Sequence, residues 1–269
     1  MAARLGGLLA LALLPVLAGS ATAPPVPDPG AASLRAEALA LVPRDDAASL
    51  ERADRLLAEA AQKDPRLYQA RADRALVAFL VAAARRDEAA RLPDGDALAR
   101  SGRELREQAL DSLRPLVREH PRDPSVARAL AVYYGLDGRE VETAALAATA
   151  RAAGGPDPWL DFAELAGGLA DARPDAAIPR LAAFSASHPG LLRALVMLAR
   201  FQVDAGQAEG ALAALDDLLA ANPEHDGALD LKARLLAPPA VNLVVVPAPP
   251  GAPPPRPWST LPRKPSGAP

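Results

Sequence analysis

Cysteine is absent from the 269 residues, so the chain has no disulfide, no thiol nucleophile and no thiolate metal ligand. Aromatic residues make up 3%. A core that poor in large rings must gain its stability from many small contacts between closely packed elements. Ala, which allows close approach and has the highest helix propensity, suits that task. No strong excess of one charge exists either: the formal net charge is −3, with both signs interspersed. Phosphate binding needs concentrated Lys and Arg, so nucleic acid is not the expected ligand. Also missing are a phosphate-binding glycine loop, a Gly-x-Ser-x-Gly elbow and a zinc-protease histidine pair.

Histidine occurs three times, at His120, His188 and His225. His120 and His188 each precede a proline that closes a helical run, where a polar side chain can serve the exposed carbonyls of a helix end. Their spacing along the chain sets them too far apart to share a metal. The acidic pairs Asp45-Asp46, Asp87-Glu88 and Asp216-Asp217 read as solvated helix faces, because nothing places two carboxylates across a pocket. Asp94-Gly95-Asp96 lacks the further ligands of a calcium loop. No catalytic residue, cofactor or metal is therefore expected.

What the chain does have is helical periodicity. In residues 190–223, Leu192, Leu195, Leu198 and Ala199 form one apolar stripe. Gly206 interrupts it, a second stripe follows on Ala211, Leu212, Leu215 and Leu218, and Asn222-Pro223 stops that. Neither helix alone buries enough surface to be stable in water, so each must lie against a neighbour. Prolines closing such runs recur every 33 to 35 residues, at Pro121, Pro156, Pro189 and Pro223. An earlier one, Pro65, leaves room before Pro121 for one further repeat and an insertion of about 22 residues.

This pattern resembles the tetratricopeptide repeat (TPR), which has a large apolar residue near Leu195, small residues at Ala199 and Ala211, Gly at Gly206 and Pro at Pro223. Twelve positions before each closing proline stand Ala53, Ala109, Ala144, Ala177 and Ala211, where the family keeps a small residue. Four further on are Leu57, Leu113, Ala148, Leu181 and Leu215. First helices match in part, with Leu130, Ala131, Tyr134 and Gly138 against Leu198, Ala199, Gln202 and Gly206. Counting forward from Gly138 instead selects Thr143, so the 35-residue step holds one inserted residue, assigned to Gly154-Gly155. The insertion itself, about 85–101, holds a Pro93-Asp94-Gly95 turn and Asp96 as an N-cap.

The expected fold is all-α: a TPR-like right-handed helical-hairpin solenoid of about five repeats over residues 33–237, with Asp226–Leu236 as a C-terminal capping helix. Flanking it, Met1–Ala23 reads as a signal peptide. It has Arg4, the apolar run Leu5–Leu17 and small residues at the end. Ser20 stands where a lipoprotein box would need Cys. Residues 24–32 read as a Pro-rich linker and 238–269 as a Pro-rich, mostly disordered tail. Within the tail, Val241–Val246 reads as a strand, which either folds back on the terminal helix or adds to a partner's sheet edge.

The resemblance implies a non-enzymatic scaffold that binds a protein or peptide on the concave side, lined by the first helix of each repeat. The positions off the buried stripe are Arg193, Val196, Met197, Arg200 and Asp204. Two repeats earlier they are Ser125, Arg128, Ala129, Val132 and Leu136. Two arginines with a methionine suit an acidic, partly apolar segment. With the signal, this makes an exported scaffold of a bacterial cell envelope, periplasmic or secreted. The alternatives are an assembly factor anchored to the inner membrane by an uncleaved N-terminus and an enzyme using the 85–101 insertion.

Overall fold

The computed structural model describes residues 27–237. The expected signal segment, most of the expected linker, the expected Val241–Val246 strand and the Pro-rich tail lie outside the described residues. Among the described residues there are eleven α-helices and no strand. Five antiparallel hairpins follow one another: α1 (Pro29–Leu41) with α2 (Ala47–Lys63), α3 (Tyr68–Ala89) with α4 (Asp96–Glu119), α5 (Pro124–Leu136) with α6 (Glu140–Gly154), α7 (Pro158–Gly167) with α8 (Pro174–Ser187), and α9 (Arg193–Asp204) with α10 (Ala208–Ala221). The final helix is α11 (Asp226–Leu236). The all-α, TPR-like helical-hairpin solenoid is thus the fold.

Helix starts are written by one dipeptide. Asp28, Asp123 and Asp157 each precede a proline, and each carboxylate accepts a backbone N–H of the first turn. Asp satisfies an orphan donor while Pro supplies the helical φ without needing a donor of its own. This moves the first helix earlier than its apolar pattern suggested: α1 begins at Pro29 inside the expected linker, not near Ser33. Asp96, by contrast, is the first residue of α4 and not its cap, since Gly95 holds that place without a side-chain bond.

The core follows the expected columns. Ala53, Ala177 and Ala211 are fully buried, as are Leu57, Leu113 and Leu181. In α6 the register is the one counted from Gly138. Thr143 and Ala147 are buried, whereas Ala144 and Ala148 face solvent. The extra residue therefore follows the helix pair, at Gly154-Gly155, and leaves the hairpin intact. Gly138 and Gly206 both turn the chain between first and second helix at φ of +73° and +72°, a backbone state that side-chain-bearing residues rarely adopt.

The 85–101 insertion is not a separate loop. It lengthens both helices of the second hairpin, which run 22 and 24 residues against 13 and 15 in the third. Gly102 lets the long pair touch, since a Cβ there would lie 3.1 Å from the Ala82 carbonyl oxygen. α3 packs between α2, α4 and α5 and has eleven buried residues, the largest number of any helix among the described residues.

The α6 register is testable by urea denaturation. Ala148→Leu should change stability by no more than about 0.5 kcal/mol, as a surface substitution does. Ala147→Leu, overpacking a closed site, should cost about 1–3 kcal/mol. The reverse order would place the extra residue inside the hairpin.

Candidate functional site: a closed groove with a buried ion-pair latch

The hairpin stack closes on itself. The turn between α1 and α2 (Val42–Arg44, a 3-10 turn) reaches the start of α9, where the Leu192 N–H donates to the Pro43 carbonyl at 3.0 Å. Beside it, Arg44 donates to Asn222 Oδ1 at 3.0 Å, and Asn222 Nδ2 donates to Asp46 Oδ2 at 2.8 Å. These partners are more than 140 residues apart in sequence.

At the centre of the closure stands Arg193, whose side chain is 2% exposed. Its Nη1 donates to Asp45 Oδ2 at 3.3 Å, and its Nη2 lies 3.5 Å from Asp87 Oδ2. Arg200, about two turns further along the same face of α9, also donates to Asp87. The long α3 is what brings Asp87 to α9. Asp45 takes a left-handed backbone, φ 56°, the one non-glycine to do so among the described residues. Asp tolerates that conformation better than most residues. Its neighbour Asp46 caps α2 through the Ser49 N–H at 2.8 Å.

The electrostatics follow from burial. Burial pushes the Asp45 carboxyl above its usual range, against the pull of Arg193 and His225. Arg193 is disfavoured by the same burial, but Asp45 and then Asp87 more than offset it and hold it charged. Arg200 is pulled down to about 10, first by burial and then by Arg193. At Asp46, burial is outweighed by hydrogen bonds from Ser49 and Asn222, and its carboxyl stays below the usual range.

A second network ties the first helices α1, α3 and α5 to the start of α7. Asp73 on α3 is fully buried and accepts from Arg35 on α1 and Arg128 on α5, each at 2.6 Å. Arg128 also donates to Asp157, the cap of α7, at 3.0 Å, and Arg35 donates to Ser125 Oγ at 3.0 Å.

These contacts redraw the expected surface. Val132 is fully buried, and Val196, Ser125 and Arg193 are at most 8% exposed, so these four do not stand on an open face. Arg128 is spent on Asp73 and Asp157. Met197 and Arg200 are half-buried and Asp204 is exposed. The reason is contact between hairpins: α3 packs on α5, and the turn before α2 together with Asp87 of α3 meets the start of α9. The acidic pair Asp45-Asp46 is buried as well, and Asp87 is an ion-pair partner, whereas Asp216-Asp217 is exposed as expected. His120 ends α4 and stacks on Tyr68, and His188 ends α8 and stacks on Phe184.

Three residues that sequence reasoning passed over belong to the site. Asp45 carried a usable signal, since one Asp suffices to cap α2 and the second is free for other work. Arg91 and His225 carried none, because their neighbours come from distant hairpins. Beside the latch, between the end of α3 and the helices α5, α7 and α9, lies a cavity of about 390 Å³. Arg86, Arg91, Arg193 and Arg200 line it against Asp87 and Asp204, with Met197 and Phe201 as apolar floor.

The Asp45 shift has a defined sign. With its folded value above the unfolded 3.8, the protonated carboxyl favours the fold below pH 3.8, and that contribution is lost as pH rises through the folded value. Asp45→Asn should therefore be at least as stable as the wild type at pH 7, and its advantage should shrink toward pH 3.8. Arg193→Met should cost about 3–5 kcal/mol by leaving the buried Asp45 without its cation, while Asp87 keeps Arg200. Chemical denaturation across pH checks both, and a strongly destabilised Asp45→Asn would show that the ionised pair holds the latch.

Residues 168–235 match the family model described as tetratricopeptide repeat. No curated protein and no solved structure shows detectable similarity to the chain. The match runs from the C-cap of α7 to Leu235 in α11, the stretch with the clearest repeat, and agrees with the helical hairpins of the fold; repeats of this kind imply a protein-interaction scaffold.

Proposed function

We propose that this protein is a non-enzymatic scaffold that binds an acidic, partly apolar protein segment in the cavity between α3, α5, α7 and α9. One observation carries the reading. In a chain of net charge −3, that cavity gathers four arginines against two aspartates beside Met197 and Phe201. Arg91 is exposed at its rim. A carboxylate-bearing segment meets complementary potential there, and Met and Phe give its apolar side chains an adaptable surface.

Export to a bacterial envelope is part of the proposal. It rests on Arg4, the Leu5–Leu17 run and the small residues after it. Among the described residues, no helix is long and apolar enough to cross a membrane.

A photocrosslinker at Phe201 should capture one partner, and the crosslinked segment, made as a free peptide, should be acidic. Arg91→Glu/Met197→Asp should weaken its binding at least about tenfold, the scale expected when a cavity contact is lost and a repulsion gained. Deleting 238–269 should leave binding unchanged. If the deletion abolishes it and the double substitution does not, the tail is the binding element. Sequencing the N-terminus of the cellular protein checks export. A start near residues 19–24 is expected, and retention of Met1 would favour the anchored assembly factor.

A further inference from the structure

The apolar interior is not continuous along the stack. One cluster runs through α1–α7, and a second, with Leu181, Leu198, Leu215 and Leu218, fills α8–α11. Leu165 and Met197, both half-buried, pack against both. The break falls inside the fourth hairpin. Its two helices are splayed, so that α7 packs on α5 and α6 while α8 packs on α9. The turn between α7 and α8, from Gly168 to Arg173, joins the two sides without a helix.

The start of α9 is anchored on the first cluster. Leu191 and Ala194 belong to that cluster, as does Phe184 near the end of α8, whose ring meets Phe162 of α7 edge-on at 6.2 Å. Arg193 and the Leu192–Pro43 bond fix the same turn to the residues before α2. Beyond that turn α9 changes partners, and Val196, Leu198 and Ala199 belong to the second cluster. The helix then runs between two empty volumes. One is the 390 Å³ cavity bordered by α5, α7 and the end of α3, and the other is a second cavity of about 420 Å³ bordered by α2, α11 and the end of α3. At the first of them Arg200 reaches Asp87. That contact lies about 10 Å along the helix from Arg193.

We propose that the Arg200–Asp87 pair is a clasp that sets the width of the cavity between α3, α5, α7 and α9. When it is released, α9 turns outward about its anchored first turn and carries α10, which packs on it, along. The closed clasp is incompletely satisfied. Arg200 Nε is buried without a hydrogen-bond partner, and Asp87 is divided between Arg200 and Arg193. Water reaches that donor once the clasp opens. An ion pair withdrawn from water also gains little net free energy. The closed and open arrangements therefore lie near each other in free energy, as local openings of contact-poor elements do. The inference concerns a wall of the cavity and not its occupant, so it holds whether or not an acidic segment binds there.

Pulsed electron spin resonance distances in the full chain test it, since no native thiol competes with introduced label sites. Labels at Glu59 of α2 and Asp217 of α10, both exposed, read the swing. Labels at Glu59 and Thr149 of α6, also exposed, read the part that stays still. Arg200→Glu sets like charges face to face, and should add a component longer than the wild-type distance to the first pair and leave the second unchanged. Asp87→Asn, a milder release, should move the first pair in the same direction by less. Asp87→Lys/Arg200→Glu restores opposite charges and should return the wild-type distribution, which a mere loss of packing would not do. Unchanged distances in the folded single variants overturn the proposal. So does lengthening of both label pairs together, or a charge-reversed pair that stays open.

Discussion

The buried guanidinium of Arg193 is the contact on which the arrangement of this stack depends. A repeat solenoid ordinarily has only neighbour contacts, and its stability is close to a sum along one dimension. Here one side chain on α9 joins the turn before α2 to the end of α3, through Asp45 and Asp87. The charge is fully withdrawn from water, which costs several kcal/mol unless partners replace the solvent. Two carboxylates do so, and the Leu192–Pro43 backbone bond and the Asn222 contacts hold their supports in place. Removing the latch would not merely loosen one repeat. It would weaken the tie between the first hairpin and the last, leaving the Leu192–Pro43 and Asn222 contacts to hold it.

The same device appears twice. Asp73 is one buried carboxylate with two arginines, and Arg193 is one buried guanidinium with two carboxylates. Both sit where first helices of this kind present polar side chains to the inside of the curve. In an open stack those positions are free for a partner. In this one they hold the hairpins together, so the space for a ligand is displaced to the flanks of the latch. On one flank four arginines meet two aspartates, and on the other the second cavity opens.

Much of the fold was legible because local rules decide it. The apolar columns at Leu57, Leu113, Leu181 and Leu215, the turn glycines at 138 and 206 and the closing prolines are each set by the 3.6-residue period and backbone geometry. Even the single extra residue near Gly154 could be placed, since shifting it into α6 would bury Ala144 and expose Thr143. The starts of α1 and α4 were misplaced because capping, which acts on one or two residues, is weaker than periodicity as a signal. The candidate site was hardly legible at all. Arg193 and Val196 look free on a helical projection of α9 taken alone, and only the 148-residue contact to Asp45 shows why an arginine there is buried. The insertion looked like a loop because proline and glycine sit at its tip. The helical residues on both sides of that tip were the larger part of it, and they carry Asp87 to the latch.

That lengthening is the step from which closure follows. With helices as short as those of the third hairpin, α3 would end before residue 87, and Arg193 would face Asp45 with no second carboxylate. A single acid already pushed toward its neutral form by burial is a poor counter-ion for a fully buried cation. Asp87, less buried and shared with Arg200, supplies the second carboxylate. The cost is that Arg200 is left with half a partner and a lowered pKa. A protein that only needed a closed stack could have placed a leucine at 200. The arginine that stands there keeps a cation at the border of both cavities.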